Sequence, residues 1–137
     1  MSEIIKMKGR LITFDKLDSL GIKIPKDCEI EYPEIVPIVA DFDFHKPDSV
    51  LGYVKVSRDE TGLLCDATMT NTVVRDLLSA PELNNELPIG GYFIGLKDYY
   101  DDHGVRIIDK CKLRGIGVTF GPVDDEYKLV LVEESEG

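Results

Sequence analysis

Alternation of apolar and polar residues is the dominant pattern along the chain, and it predicts strands. Residues 50–57 show it most cleanly: Val50, Gly52, Val54 and Val56 fall on one side, Leu51, Tyr53, Lys55 and Ser57 on the other. Successive side chains of a strand point to opposite faces, so a period of two marks a half-buried strand. Arg58-Asp59-Glu60-Thr61-Gly62 then reads as a turn and residues 63–69 as the returning strand, which makes a hairpin. Residues 4–13 mix apolar and polar positions, with a break expected at Gly9. Residues 35–44 begin apolar and end alternating, Ala40, Phe42 and Phe44 against Asp41, Asp43 and His45.

One segment changes period. Val73, Val74, Leu77 and Leu78 recur at helical spacing within 71–80, Thr70 or Asn71 can cap the start, and Pro81 ends the run. Strands return at 89–100, which carries three glycines, and at 105–120, with the polar turn Asp101-Asp102-His103-Gly104 between them. A missing side chain invites a bulge, so Gly115 and Gly117 are expected to bend the longer strand. A turn at 122–126 and a last strand at 127–132 complete the pattern, and the acidic tail 133–137 is expected to fray. About seven strands and one helix predict a mainly antiparallel β-barrel or sandwich, as a single domain over 1–132.

Composition narrows the classes. The 137 residues are 43% apolar and 31% charged, enough for one core and a polar surface. No apolar run approaches the roughly 18–20 residues of a membrane span. Residues 1–10 lack the basic start and apolar core of a secretory signal, so a cytoplasmic location is expected in the cell that makes the protein. With 16 basic against 26 acidic residues the formal charge is −10. Nucleic-acid binding needs local positive charge, and the densest basic stretch, Lys110-Cys111-Lys112-Leu113-Arg114, alternates like one face of a strand. No nucleic-acid partner is expected. Cys28, Cys65 and Cys111 are odd in number and far apart, without a C-x-x-C pair, and read as buried reduced thiols.

Three constellations invite a chemical reading. Asp41, Asp43 and His45 share a strand face, but three such positions span about 13 Å, too far to share one ion at about 2.0–2.5 Å. Asp98, Asp101, Asp102 and His103 form an acidic turn without the calcium-loop pattern. Neither metal nor cofactor is expected. Nucleophilic catalysis needs a nucleophile, a base and an orienting group. The bases are His45 and His103, no serine sits in a G-x-S-x-G turn, and a Cys65–His45 pair has no specific support in the sequence. Phosphate-binding glycine loops are absent.

Four stretches in order resemble the prohead (capsid maturation) serine proteases of tailed phages: GRLITFDKLDSLGIKIP, VPIVADFDFHKPDSVLGYVKVSRDETGLLCDATM, ELPIGGYFIG and KLRGIGVTFGPVDD, together covering roughly residues 8–125. The resemblance implies an antiparallel barrel of the prohead-protease and herpesvirus-protease type. It also implies where the catalytic groups would stand. The histidine position, six residues after the Val of the Val-Pro strand, is Phe42. The serine position that opens ELPIGG's Pro-Ile-Gly run is Pro88. The last signature carries Gly115 and Gly117 where the family has an acid and a serine. Phenylalanine cannot shuttle a proton, and proline and glycine carry neither nucleophile nor carboxylate. Loss of one triad member costs orders of magnitude in rate, so loss of all of them implies a non-enzyme.

The expectation that follows is an auxiliary or decoration protein of a phage particle. It would bind the major capsid protein or other virion proteins, form homo-oligomers, and sit on the capsid surface after assembly in the host cytoplasm, away from membranes. Tyr53, Tyr99 and Tyr100 are the interface candidates, tyrosine being enriched at interfaces. Two other readings stay open: an active maturation protease with an atypical set such as His45 with Ser49 or His103, and an intracellular adaptor or protease inhibitor.

Overall fold

The computed structural model describes residues 4–40, 49–79, 85–119 and 124–132. Nine strands and one helix follow in the order β1 (Ile5–Thr13), β2 (Ile22–Lys23), β3 (Glu29–Glu31), β4 (Ile35–Ala40), β5 (Val50–Arg58), β6 (Gly62–Met69), α1 (Val73–Leu78), β7 (Glu86–Tyr100), β8 (Arg106–Val118) and β9 (Lys128–Leu131). Seven of them close on themselves: β4, β5, β6, β1, β9, β7 and β8, which returns to β4. The protein is mainly β, with a closed seven-stranded barrel and, among the described residues, a single short helix. Closure removes the unpaired edges that an open sheet exposes.

The expected hairpin is present. β5 and β6 pair antiparallel from Gly52↔Met69 to Arg58↔Leu63. Its turn is tied by Asp59, whose Oδ1 accepts from the N–H of Thr61 at 2.7 Å and of Gly62 at 3.0 Å. Alternation decides what goes inside: Leu63, Cys65, Ala67 and Met69 of β6 are buried, and so are Val54 and Val56 of β5.

Several strands break their own period through bulges. Leu51 is extra on β5 against β4, and buried although alternation set it with Tyr53, Lys55 and Ser57. Leu96 is extra on β7, and others lie on β1 and β8. On β1 the pairing jumps between Arg10 and Ile12, leaving Leu11 as the extra residue. The inward phase switches from odd to even, so Met7, Leu11, Ile12 and Phe14 are all buried. On β8 the pairing with β7 jumps from Gly115 to Leu113, leaving Arg114 extra. Leu113 and Ile116 therefore both reach the core. The irregularity expected at the glycines thus falls at Arg114, beside Gly115. Gly9 makes no break: β1 runs through it, opposite both Cys65 and Leu129.

Two elements were not expected. β2 and β3 pair parallel with the outer half of β8, at Ile22↔Arg106 and Ile30↔Cys111. β4 also pairs parallel with β8, at Ile38–Ala40 against Ile116–Val118. β8 is the seam, bonded antiparallel to β7 along one side and parallel to β2, β3 and β4 along the other. The helix is shorter than expected. Its N-cap is Thr72, without a side-chain cap bond, rather than the expected Thr70 or Asn71. Asn71 Oδ1 accepts the Val73 N–H at 3.0 Å from one position earlier, and only Val74 is fully buried on the helix. Phe42, His45, Pro81 and the tail 133–137 lie outside the described residues.

Beyond the barrel, β7 and β8 continue as an arm, with β2 and β3 paired along the other edge of β8. Residues 95–100 of β7 are all exposed. The arm's inner face rests on a small second core of Cys28, Ile108 and Cys111, bridged to the main core through Ile24, Ile30 and Phe93.

Candidate functional site

The barrel wall opens where β9 stops. β9 is four residues long and pairs only with Met7–Gly9 of β1 and Glu86–Pro88 of β7. Past that point β1 continues to Thr13 and β7 to Tyr100, with no described strand bonded between them. Tyr127 stands at the fork. Its carbonyl accepts the Ile89 N–H at 2.9 Å, and its hydroxyl accepts the Thr13 N–H at 3.0 Å. Burial is the main influence on this phenol and pushes its pKa up, with the Thr13 N–H pulling the other way.

Above Tyr127 lies a cavity of about 410 Å³, within the size range of small-molecule sites. Leu11 and Ile12 form one side, and Gly90, Gly91, Phe93 and Gly95 form the other. Segment 16–24 folds across the top, held by the Ile24 carbonyl on the Asp15 N–H at 2.8 Å and by the Gly21 carbonyl on the Arg106 N–H at 2.9 Å. Ile24, Ile108 and Cys111 also line it.

The rim is charged but internally balanced. Lys16 Nζ holds Asp124 at 2.8 Å and Glu126 at 3.0 Å, and these carboxylates raise its pKa well above the usual lysine value. Arg106 Nε holds Asp98 Oδ2, which raises its pKa likewise. Both cations already have acidic partners, so the rim is no ready anion site. The reactive groups are equally quiet. Burial pushes the Cys111 thiol up to about 12, and the Cys65 thiol, deep in the barrel on β6, also to about 12. Neither supplies a thiolate near neutral pH.

The positions singled out in the sequence fall on one wall. Pro88 of β7 lies beside Thr119, whose N–H its carbonyl accepts at 3.0 Å. Gly117 pairs with Gly90, and Gly115 with Tyr92. The intervening Ile89, Ile116 and Val118 point into the core, so any side chain at 88, 115 or 117 would stand on the opposite side of the β7–β8 wall, where Gly115 and Gly117 are themselves buried. Pro88 and Gly115 are four residues apart in register, about 13 Å; Gly117 lies between them. The wall gathers these three positions and places no reactive group on them. Phe42 and His45, the fourth position and its neighbour, lie outside the described residues.

The other candidates separate. His103 is at the exposed tip of the β7–β8 arm, its N–H donated to Asp101 Oδ1 at 2.8 Å. Asp101 also accepts the Val105 N–H at 2.9 Å, so this acid closes a turn, while Asp98 is taken by Arg106. Among the described residues no group of three or more potential ligands could hold a metal ion, and no helix is long and apolar enough to cross a membrane. Tyr53, Tyr99 and Tyr100 are exposed at 51%, 52% and 69%. The last two sit on the arm with Leu96, 50% exposed.

No pattern in the sequence pointed to the cavity. It arises from the shortness of β9 and the bulge at Leu11, and its one local sign is a tyrosine just ahead of the apolar run 129–132. No protein-family model matches this chain, and no curated protein matches it either. The resemblance to prohead proteases therefore rests on the four sequence stretches.

Proposed function

We propose that this chain is a non-enzymatic auxiliary protein of a phage particle, built on a protease-like barrel and attached to the capsid shell. The observation that carries the reading is the β7–β8 wall. It brings Pro88, Gly115 and Gly117 onto neighbouring strands, where the resemblance would put a nucleophile and an acid, and all three are chemically inert. No described imidazole stands near them, since His103 is out at the arm tip.

Attachment would run through the arm. Leu96, Tyr99 and Tyr100 are exposed on the outer half of β7, and Tyr53 adds an exposed aromatic on β5. Tyrosine anchors suit an interface core. A formal charge of −10 suits the outside of a shell better than its DNA-filled interior, where like charges repel. Repetition around the symmetry axes of a shell would make the protein oligomeric there.

Two measurements test this. Mass spectrometry of purified particles should find the protein at a copy number comparable to the shell protein; detection only in the soluble fraction of infected cells would favour an adaptor or inhibitor. Incubation with cognate scaffold and shell proteins should yield no cleavage. Cleavage that disappears in His45→Ala would replace this reading with an atypical protease.

A further inference from the structure

Cys28 and Cys111 are distant in sequence and adjacent in the fold. Cys28 closes the turn that enters β3, its N–H on the Pro25 carbonyl at 3.0 Å. β3 then runs parallel to β8 with Ile30 opposite Cys111. The two thiols are free, 2% and 1% exposed, and pack together with Ile108 in their own cluster. The Cys28 thiol donates to the Glu29 carbonyl at 3.6 Å. The third cysteine, Cys65, belongs to the main barrel core instead.

Two features make the pair more than inert packing. Cys111 is also among the residues that line the cavity, beside Ile108. The Arg58 guanidinium, seated 4.8 Å over the Phe14 ring and bonded to the Lys26 carbonyl at 2.7 Å, acts on both sulfurs and favours their thiolates.

We infer that Cys28 and Cys111 are a peroxide-responsive pair that closes a reversible disulfide, stapling the β3 segment to β8 beside the cavity lining. The Cys111 thiolate attacks one oxygen of hydrogen peroxide. The O–O bond breaks, hydroxide leaves and is protonated to water, and Cys111 becomes a sulfenic acid. The Cys28 sulfur then attacks the Cys111 sulfur, the S–O bond breaks, and a second water departs with the remaining protons. Two thiols and one peroxide give one disulfide and two waters; the sulfurs are oxidised and the peroxide is reduced. Burial, which holds both thiols above their ordinary pKa, makes the closure slow at neutral pH and faster as pH rises. The inference stands on the fold alone and is independent of the particle reading.

The test uses the full native chain treated with hydrogen peroxide, quenched, denatured, alkylated without reductant and mapped by mass spectrometry. The expected result is an intact mass lower by two hydrogens, one linked peptide pair holding Cys28 and Cys111, and reversal by dithiothreitol. The oxidised protein should melt higher by on the order of 10 °C, because the bond closes a long loop. Cys65→Ser should keep the link; Cys28→Ser and Cys111→Ser should lose it. Full alkylation of both cysteines, arrest at sulfinic acid, linkage through Cys65 or between chains, or closure only in urea would each overturn the inference. The peptide map of the unsubstituted protein decides the matter even where a serine variant fails to fold.

Discussion

The Thr13 N–H donates to the Tyr127 hydroxyl at 3.0 Å, joining the last residue of β1 to the residue that precedes β9. Tyr127 is 4% exposed, and its carbonyl is bonded to Ile89 on the far side of the fork. One residue thus ties both strands that β9 leaves apart. In Tyr127→Phe the ring still fills its place, but a part-buried N–H loses its acceptor. A cost of about 1–3 kcal/mol is expected, read as a lower urea midpoint with unchanged slope. A midpoint within error of the parent would mean that water takes over the bond and that the fork is looser than described.

Barrel closure depends on a second close approach. At Gly9 the β1 backbone passes so near β9 that a Cβ would collide with the Lys128 carbonyl oxygen. That atom belongs to the backbone and cannot rotate away. Gly9→Ala should cost about 1–3 kcal/mol or more through overpacking, and the loss should appear first as faster amide exchange in residues 128–131. Equal destabilisation with no selective exchange there would place the strain elsewhere.

Two turns in this protein are the same device. In Asp18-Ser-Leu-Gly21-Ile and Asp101-Asp-His-Gly104-Val the aspartate Oδ1 accepts the N–H groups two and four residues on, at 2.9 and 2.9 Å in the first and 2.8 and 2.9 Å in the second. Each glycine adopts φ of +79°, which its lack of a side chain permits. In the second turn the Val105 N–H leads in holding the Asp101 carboxyl below the ordinary 3.8. The Thr61 hydroxyl does the same for Asp59 in the β5–β6 turn.

A carboxylate depressed in the folded state stabilises it at pH above the unfolded value, and that contribution is lost as pH falls through the folded value. The urea midpoint should therefore drop between about pH 5 and pH 2. Asp59→Asn and Asp101→Asn, which keep an oxygen acceptor but not the charge, should each flatten that acid limb and leave the neutral-pH fold intact by circular dichroism. An acid limb as steep in the double variant as in the parent would assign it to other carboxylates.

These turns also show what was legible in the sequence. The polar turn at Asp101–Gly104 and the alternation of 50–57 and 63–69 are local signals, and the hairpin that the alternation predicts is there in register. Local signal also placed the helix, although tertiary context left Val73 exposed and only Val74 buried. What failed was non-local. Ile22–Lys23 and Glu29–Glu31 are too short to show a period, and they are strands only because β8 offers them an edge. The bulges at Leu11 and Arg114 break alternation for the sake of closure, which no short window can reveal. The cavity is a product of those failures, so it was not legible either. The inert trio was placed by resemblance, and the register of β7 with β8 is what puts its members on one face.

The arm offers the most direct separation of folding from attachment. Leu96, Tyr99 and Tyr100 are 50%, 52% and 69% exposed, and none belongs to either core cluster. Surface substitutions away from caps and cores usually change stability by under about 0.5 kcal/mol, whereas aromatic anchors at an interface can each be worth about 2 kcal/mol or more. Tyr99→Ser with Tyr100→Ser should leave the urea midpoint near the parent's. Binding to empty shells, measured by co-sedimentation, should weaken at least about 100-fold if two such anchors are lost. Tyr53→Ser, on a different strand, reports whether β5 shares the contact: unchanged binding confines attachment to the arm, and a comparable loss extends it round the barrel. Undiminished binding by a variant lacking all three tyrosines would remove these side chains from the interface and leave the exposed backbone edge of β7 as the surface to examine.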